Sequence, residues 1–296
     1  MTDFFTTYHH LFNVFLIGSG YALSQWVVMR AGVFSVATAG IASIGAYCAA
    51  ILTTKLGWPH PFSILAGTLL GAITGLLLSV PLARLRGVFQ AIATLAFVQI
   101  VVAVGLFWDS LTGGAIGLNA IPILVGTKEN LLALLVVIYL MLAIGSTRLG
   151  RAFEAIRQDE AVASSLGVSV TAHQSLAFGL SGAIAGLFGG LEAFQTFTLF
   201  PNTFGFGLIV AALSYVVLGG RRSVAGPIVG TAILLILPEI SRPLADYRQA
   251  VYGLLLVVVM AFLPFGVYDS LVMKLHRRRL ARAGMLAPKA DAGAAS

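Results

Sequence analysis

Long apolar runs, separated by short polar or basic connections, recur along nearly the whole chain. A helix needs roughly 20 residues to cross a hydrocarbon core of about 30 Å. Runs of this order fall at 11–29, 33–54, 62–83, 88–107, 130–147, 173–192, 205–219, 225–241 and 249–266. Backbone in lipid must satisfy its own hydrogen bonds, which leaves helices or closed barrels. Barrel strands alternate apolar and polar residues, whereas Leu131–Leu142 and Leu208–Leu218 are almost continuously apolar. The pattern therefore predicts an all-α, polytopic integral membrane protein with nine to ten transmembrane helices. The tenth would come from 31–54, whose Ala-, Gly- and Ser-rich first half reads as a broken or re-entrant segment.

Small residues recur inside these runs at one-turn spacing, as Gly67, Gly71, Gly75 and again as Gly182, Gly186, Gly190. That spacing lets membrane helices approach closely. Composition agrees: 58% of residues are hydrophobic and 10% charged, against about a quarter charged in soluble domains. Mean hydropathy is +0.96. The single cysteine, Cys48, excludes an internal disulfide and reads as a buried thiol with no special role. Thr2–His10 is polar without a basic region, so no cleavable signal peptide is expected.

The net charge of +7 matters through its distribution. If connections alternate between two sides, one side receives Arg30, Arg84, Arg86, Arg148, Arg151, Arg157, Arg221, Arg222, Lys274, Arg277, Arg278, Arg279, Arg282 and Lys289. The other receives Lys55, Lys128, Arg242 and Arg248. By the positive-inside rule the first side is cytoplasmic, which places the amino terminus outside and the basic tail inside. The tail then reads as a topology determinant beside anionic lipid, not as a nucleic-acid-binding element. Residues 1–268 form one transmembrane domain, and 269–296 a basic tail expected to be disordered.

Two connections carry polar chemistry. From Arg151 to Leu166 the first is rich in helix formers, with Gly167 suited to a C-cap. Phe153, Ile156, Ala163 and Leu166 can share one face, while Glu154, Arg157, Gln158, Asp159 and Glu160 charge the rest. It reads either as a connector or as a docking helix. The second, Trp108–Pro122, is turn-rich and reads either as a connector or as a cap over a pathway. Asp109, Glu192 and Glu239 lie near span ends, and no acidic pair sits mid-membrane. Uncharged polar residues inside spans are commoner. Ser35, Thr38, Ser43, Gln90, Thr94 and Gln99 are candidates for a solute path, with helix–helix hydrogen bonding as their competing role, as for Ser175, Ser181 and Ser214.

Enzyme signatures are absent. There is no phosphate-binding loop and no H-E-x-x-H, and His9, His10, His60, His173 and His276 are too scattered for an obvious metal site. Gly205-Phe-Gly207 lacks the third glycine of a dinucleotide fingerprint. No cofactor is expected.

Gly150–Gly167 resembles the coupling loop of the permease subunits of branched-chain amino acid ABC importers, particularly the LivM-like branch. Four further stretches agree in order: Gly45-Ala-Tyr47, Thr112–Pro122, Ala177–Gly190, and Gly219-Gly220 followed by Ala225–Gly230. The resemblance implies a helical permease working with a second, LivH-like permease subunit, two cytoplasmic ATPase subunits and a periplasmic solute-binding protein in a bacterial inner membrane. It also implies that Arg151, Glu154, Ala155, Arg157, Asp159, Glu160 and Gly167 contact the ATPase. Two departures stand out. Ser35-Val-Ala-Thr38-Ala replaces the Gly and His common in the family, and Arg221-Arg222 follow Gly219-Gly220 where smaller residues are usual. The expected cargo is a branched-chain or related amino acid; the alternatives are urea, short amides or small carboxylates within the family, and an ion-coupled secondary transporter outside it.

Overall fold

The computed structural model describes residues 2–240, 253, 266–271 and 273–274. The apolar runs fold as helices: α1 (Thr2–Arg30), α2 (Thr38–Leu56), α3 (His60–Leu82), α4 (Val88–Phe107), the single turn α5 (Asp109–Thr112), α6 (Thr127–Ser146), α7 (Arg148–Gln158), α8 (Glu160–Ser165), α9 (Val170–Ala193), α10 (Phe206–Gly219) and α11 (Ala225–Ile240). Seven helices of the described residues are long and apolar enough to cross a membrane, and α11 is a shorter apolar one. The expected span at 249–266, apart from Gly253 and Gly266, lies outside the described residues. So do Arg242, Arg248 and the tail beyond Lys274.

The second expected span needs correction. Its helix starts at Thr38, and 31–37 is not helical. Gly32 adopts a left-handed φ of +79°, a conformation in which glycine carries no Cβ penalty. Side chains then meet backbone groups that helix would otherwise satisfy. The Gln25 amide donates to the Ser35 carbonyl, and Val36 N donates to Thr94 Oγ1 at 3.1 Å. The remaining 19 residues of α2 are about 28 Å long at 1.5 Å per residue, enough for one crossing. The break adds no tenth span.

Helix α9 is the hub, packed against α1, α2 and α3. The glycine spacing read from the sequence is what brings α3 and α9 together. A Cβ on Gly186 of α9 would meet the Gly67 carbonyl oxygen of α3 at 2.5 Å, and one on Gly67 would in turn meet the carbonyl oxygen of Gly45 on α2 at 2.6 Å. Gly71 and Gly182 face each other in the same way, and Gly75 faces the Phe178 carbonyl. Gly190 differs: its nearest neighbour is the Ala49 methyl at 3.4 Å, an ordinary contact. Serines tie the helices as well, with the buried Ser24 and Ser181 hydroxyls 2.9 Å apart and the hydroxyls of buried Ser79 and half-buried Ser175 also 2.9 Å apart. The outer faces of α3 and α6, with Leu69, Leu77, Val80, Leu132 and Leu135 exposed, suit contact with lipid.

The bundle has two chemically distinct ends. At one, Trp26 Nε1 donates to the Arg221 carbonyl at 2.9 Å, and the Arg30 guanidinium lies 4.9 Å from the Trp26 ring centroid. At the other, Lys55 Nζ donates to the carbonyls of Ser110 (2.6 Å) and Leu111 (3.0 Å). There the Trp108–Pro122 connection is held by reciprocal hydrogen bonds between Leu118 and Leu199 (3.0 and 2.9 Å) and by Ile121 N to Phe197 O at 3.2 Å.

Candidate functional site

At the basic end, the connection read as one helix from Arg151 to Leu166 is two. Asp159 is extended (φ −159°, ψ 116°) and ends α7. Its Oδ1 accepts from Ala161 N (2.8 Å) and Val162 N (3.0 Å), which starts α8. A short acid that can bond its own downstream amides offers the chain an alternative to continuing the helix. Gly167, at φ +83°, closes α8. Gly167 N donates to Ser164 O (3.0 Å) and Val168 N to Ala163 O (3.1 Å), the paired bonds of a left-handed helix stop.

The break changes which residues face outward. Phe153, Ile156 and Ala163 are buried, whereas Leu166 is 75% exposed and Val162 55% exposed. Leu166 therefore leaves the shared apolar face expected for it, because α8 no longer continues the screw of α7. The charged residues are also placed unequally. Glu154 accepts from Arg157 Nε at 3.1 Å, and this bond holds its carboxyl below the ordinary glutamate range. Glu160 binds Arg86 at 3.3 Å and accepts from Gln174 at 3.1 Å, which anchors α8 to the α3–α4 connection and to α9. Arg151, Gln158 and Asp159 are exposed, while Glu154, Ala155 and Arg157 are half-buried.

Underneath, α7 sits directly against the non-helical segment. A Cβ on Gly32 would lie 3.4 Å from both Ile156 Cγ2 and the Ile156 carbonyl oxygen. From Gly32 the chain reaches Ser35 in three residues. There three of the candidate path residues come together, Ser35, Thr38 and Thr94, all buried. Gln90, also buried, joins them only through its backbone carbonyl, its side-chain amide donating to the Leu82 carbonyl at 3.4 Å. Thr38 Oγ1 donates to Gln25 Oε1 at 2.9 Å. Thr94 Oγ1 donates to the Gln90 carbonyl at 2.8 Å while accepting from Val36. Gln25 organises this cluster, and sequence reasoning passes over it; the signal for it was an amide inside the first apolar run.

The other two candidates lie apart. Ser43, further along α2, is buried and lines a cavity of about 420 Å³ between α2, α3 and α4. Gln99 is exposed near the middle of α4, away from the Ser35 cluster. Of the acidic residues near span ends, Glu192 is half-buried and accepts from the buried Tyr21 hydroxyl. Asp109 is exposed at the start of α5, and the Glu239 side chain lies outside the described residues. No group of three or more His, Cys, Asp or Glu residues suited to a metal occurs among the described residues.

The family described as branched-chain amino acid transport system / permease component matches residues 10–260. The high-affinity branched-chain amino acid transport system permease protein LivM of Salmonella typhimurium is 32% identical over 275 residues, covering 81% of this chain and 65% of that protein. Its Escherichia coli K12 counterpart is 31% identical over the same coverage. The chain therefore spans just under two thirds of the length of these relatives. The autoinducer 2 import system permease protein LsrC of Escherichia coli O157:H7 is 29% identical, covering 82% of this chain and 75% of that protein. No solved structure matches the chain. With the helical, multi-pass membrane fold and the Gly150–Gly167 connection in place, the match over residues 10–260 settles the family: the chain belongs to the branched-chain amino acid transport system permease components.

Proposed function

We propose that the chain is a permease subunit of an ABC importer that moves branched-chain or related amino acids across a bacterial inner membrane. In this reading the basic end is cytoplasmic and the amino terminus is outside. ATP is hydrolysed by two separate subunits docked on α7–α8, a second permease completes the pathway, and a periplasmic protein delivers solute to the Trp108–Pro122 end. The observation that carries it is the contact of Ile156 with Gly32. An α7 seated on an ATPase is thereby in direct contact with the non-helical segment leading to Ser35 and Thr38. A rigid-body movement of α7–α8 would shift that segment, which sits in the membrane domain and is held there by side-chain hydrogen bonds. The path itself would draw on Ser35, Thr38, Ser43, Gln90, Thr94 and Gln99. Arg151, Glu154, Ala155, Arg157, Asp159, Glu160 and Gly167 would shape the docking element, and the exposed Val162 and Leu166 would complete it.

Replacing Glu154 and Asp159 together by Lys should abolish ATP-driven uptake while the protein stays inserted. Because Asp159 also starts α8, Val162→Glu with Leu166→Glu makes a second variant, altering exposed side chains only. Normal uptake and ATPase co-purification in both would overturn the coupling assignment. Orientation is tested in a Cys48→Ala background, where cysteines at Arg151 and Ser110 should react from opposite sides of the membrane.

A further inference from the structure

We propose that the cavity between α2, α3 and α4 is a subsite for the aliphatic side chain of the cargo, with the Ser43 hydroxyl at its polar edge. This rests on the permease reading above and adds to it the place where an aliphatic solute is held. The cavity measures about 420 Å³ and is walled by Ile44, Ile51, Leu52, Leu70, Val101 and Val104. That is within the size range of small-molecule sites, which are mostly apolar with a few placed polar groups. Its polar wall residues are not equivalent. The Tyr47 hydroxyl is committed to the Leu199 carbonyl at 3.0 Å. The Thr112 hydroxyl is shared between the carbonyls of Gly105 and Trp108, both at 2.7 Å. Ser43 is 3% exposed and has no hydrogen-bond partner among the described residues, yet it lines the cavity.

A buried hydroxyl is normally paired. One left unpaired at the edge of an apolar cavity fits a ligand that brings both a hydrocarbon part and a polar group. A lipid acyl chain offers the first alone, so cargo is the occupant the wall chemistry favours. The position agrees, because the cavity reaches Trp108 and Thr112 at the end where delivered solute would arrive.

Cys48, half-buried on the same wall and the single cysteine of the chain, reports on occupancy without engineering. The full-length chain in lipid nanodiscs is treated with a small methanethiosulfonate, with leucine or asparagine present. Leucine at twice its dissociation constant should slow Cys48 modification about threefold; asparagine should not, and Ser43→Ala should weaken the leucine effect. No slowing by leucine, or equal slowing by asparagine, overturns the proposal. A rate that follows the acyl-chain length of the nanodisc lipid and ignores leucine also overturns it, in favour of a lipid occupant. Failure here with ATPase-driven leucine uptake intact would remove the subsite alone, whereas loss of uptake in the unaltered complex would remove the permease reading itself.

Discussion

Gly45 on α2 and Gly186 on α9 meet backbone to backbone: a Cβ added to Gly45 would come within 2.5 Å of the Gly186 Cα. Gly67 on α3 completes the junction, so three helices share one point of contact that no side chain can enter. Between membrane helices, where lipid is as apolar as the protein, such close packing is a principal source of association.

The junction predicts a sharp contrast between two glycines one turn apart. Gly186→Val should destabilise the protein by about 1–3 kcal/mol or more, the usual cost of overpacking. Gly190→Ala, with its nearest neighbour at 3.4 Å, should be nearly neutral. Thermal unfolding in mild detergent measures both; equal effects would mean that α3 and α9 are not packed through these glycines.

The non-helical segment 31–37 depends on donors and acceptors from other helices. Thr94→Val removes the acceptor for Val36 N and leaves a buried amide unpaired, a loss of about 1–3 kcal/mol. Thr94→Ser keeps the hydroxyl and should retain most of the stability. If valine is tolerated as well as serine, the hydroxyl does not hold the segment.

Asp159 divides the basic-end connection into α7 and α8. Asp159→Ala deletes the acceptor for Ala161 N and Val162 N and should cost about 0.5–2 kcal/mol locally, while Asp159→Asn should be close to neutral. Hydrogen exchange at Ala161–Ala163 is the readout, since the global stability rests on the membrane helices. Unchanged exchange in the alanine variant would remove the capping role.

Glu154 gives the connection a defined response to acid. Its carboxyl is held below the ordinary glutamate value of 4.5 by the Arg157 hydrogen bond, so in the unfolded connection it takes up a proton more readily. The stabilising contribution is therefore complete above pH 4.5 and is lost as pH falls through the lower folded value. Exchange protection of α7, corrected for the intrinsic pH dependence of exchange, should hold from neutral pH down to about 4.5, fall between there and the lower folded value, and level off below it. Glu154→Gln should flatten the profile.

The membrane class, the positions of seven spans and of the shorter apolar helix α11 among the described residues, the glycine spacing and the basic asymmetry could be read from the chain by itself. Each is a one-dimensional property: run length against bilayer thickness, and residue size at one-turn spacing. The resemblance of Gly150–Gly167 to a family motif was equally legible, because it depends on residue order alone. Helix formers from Arg151 to Leu166 read as one helix, and only the cap at Asp159 showed that the connection bends and turns Leu166 outward. The start of α2 at Thr38 was hidden for a related reason. Segment 31–37 is stabilised by Gln25 and Thr94, distant in sequence, and no local propensity records such partners. The same holds for Ser43 and Gln99, equally polar in the sequence; folding buries the first beside a cavity and leaves the second exposed, because each depends on which helices lie against its face.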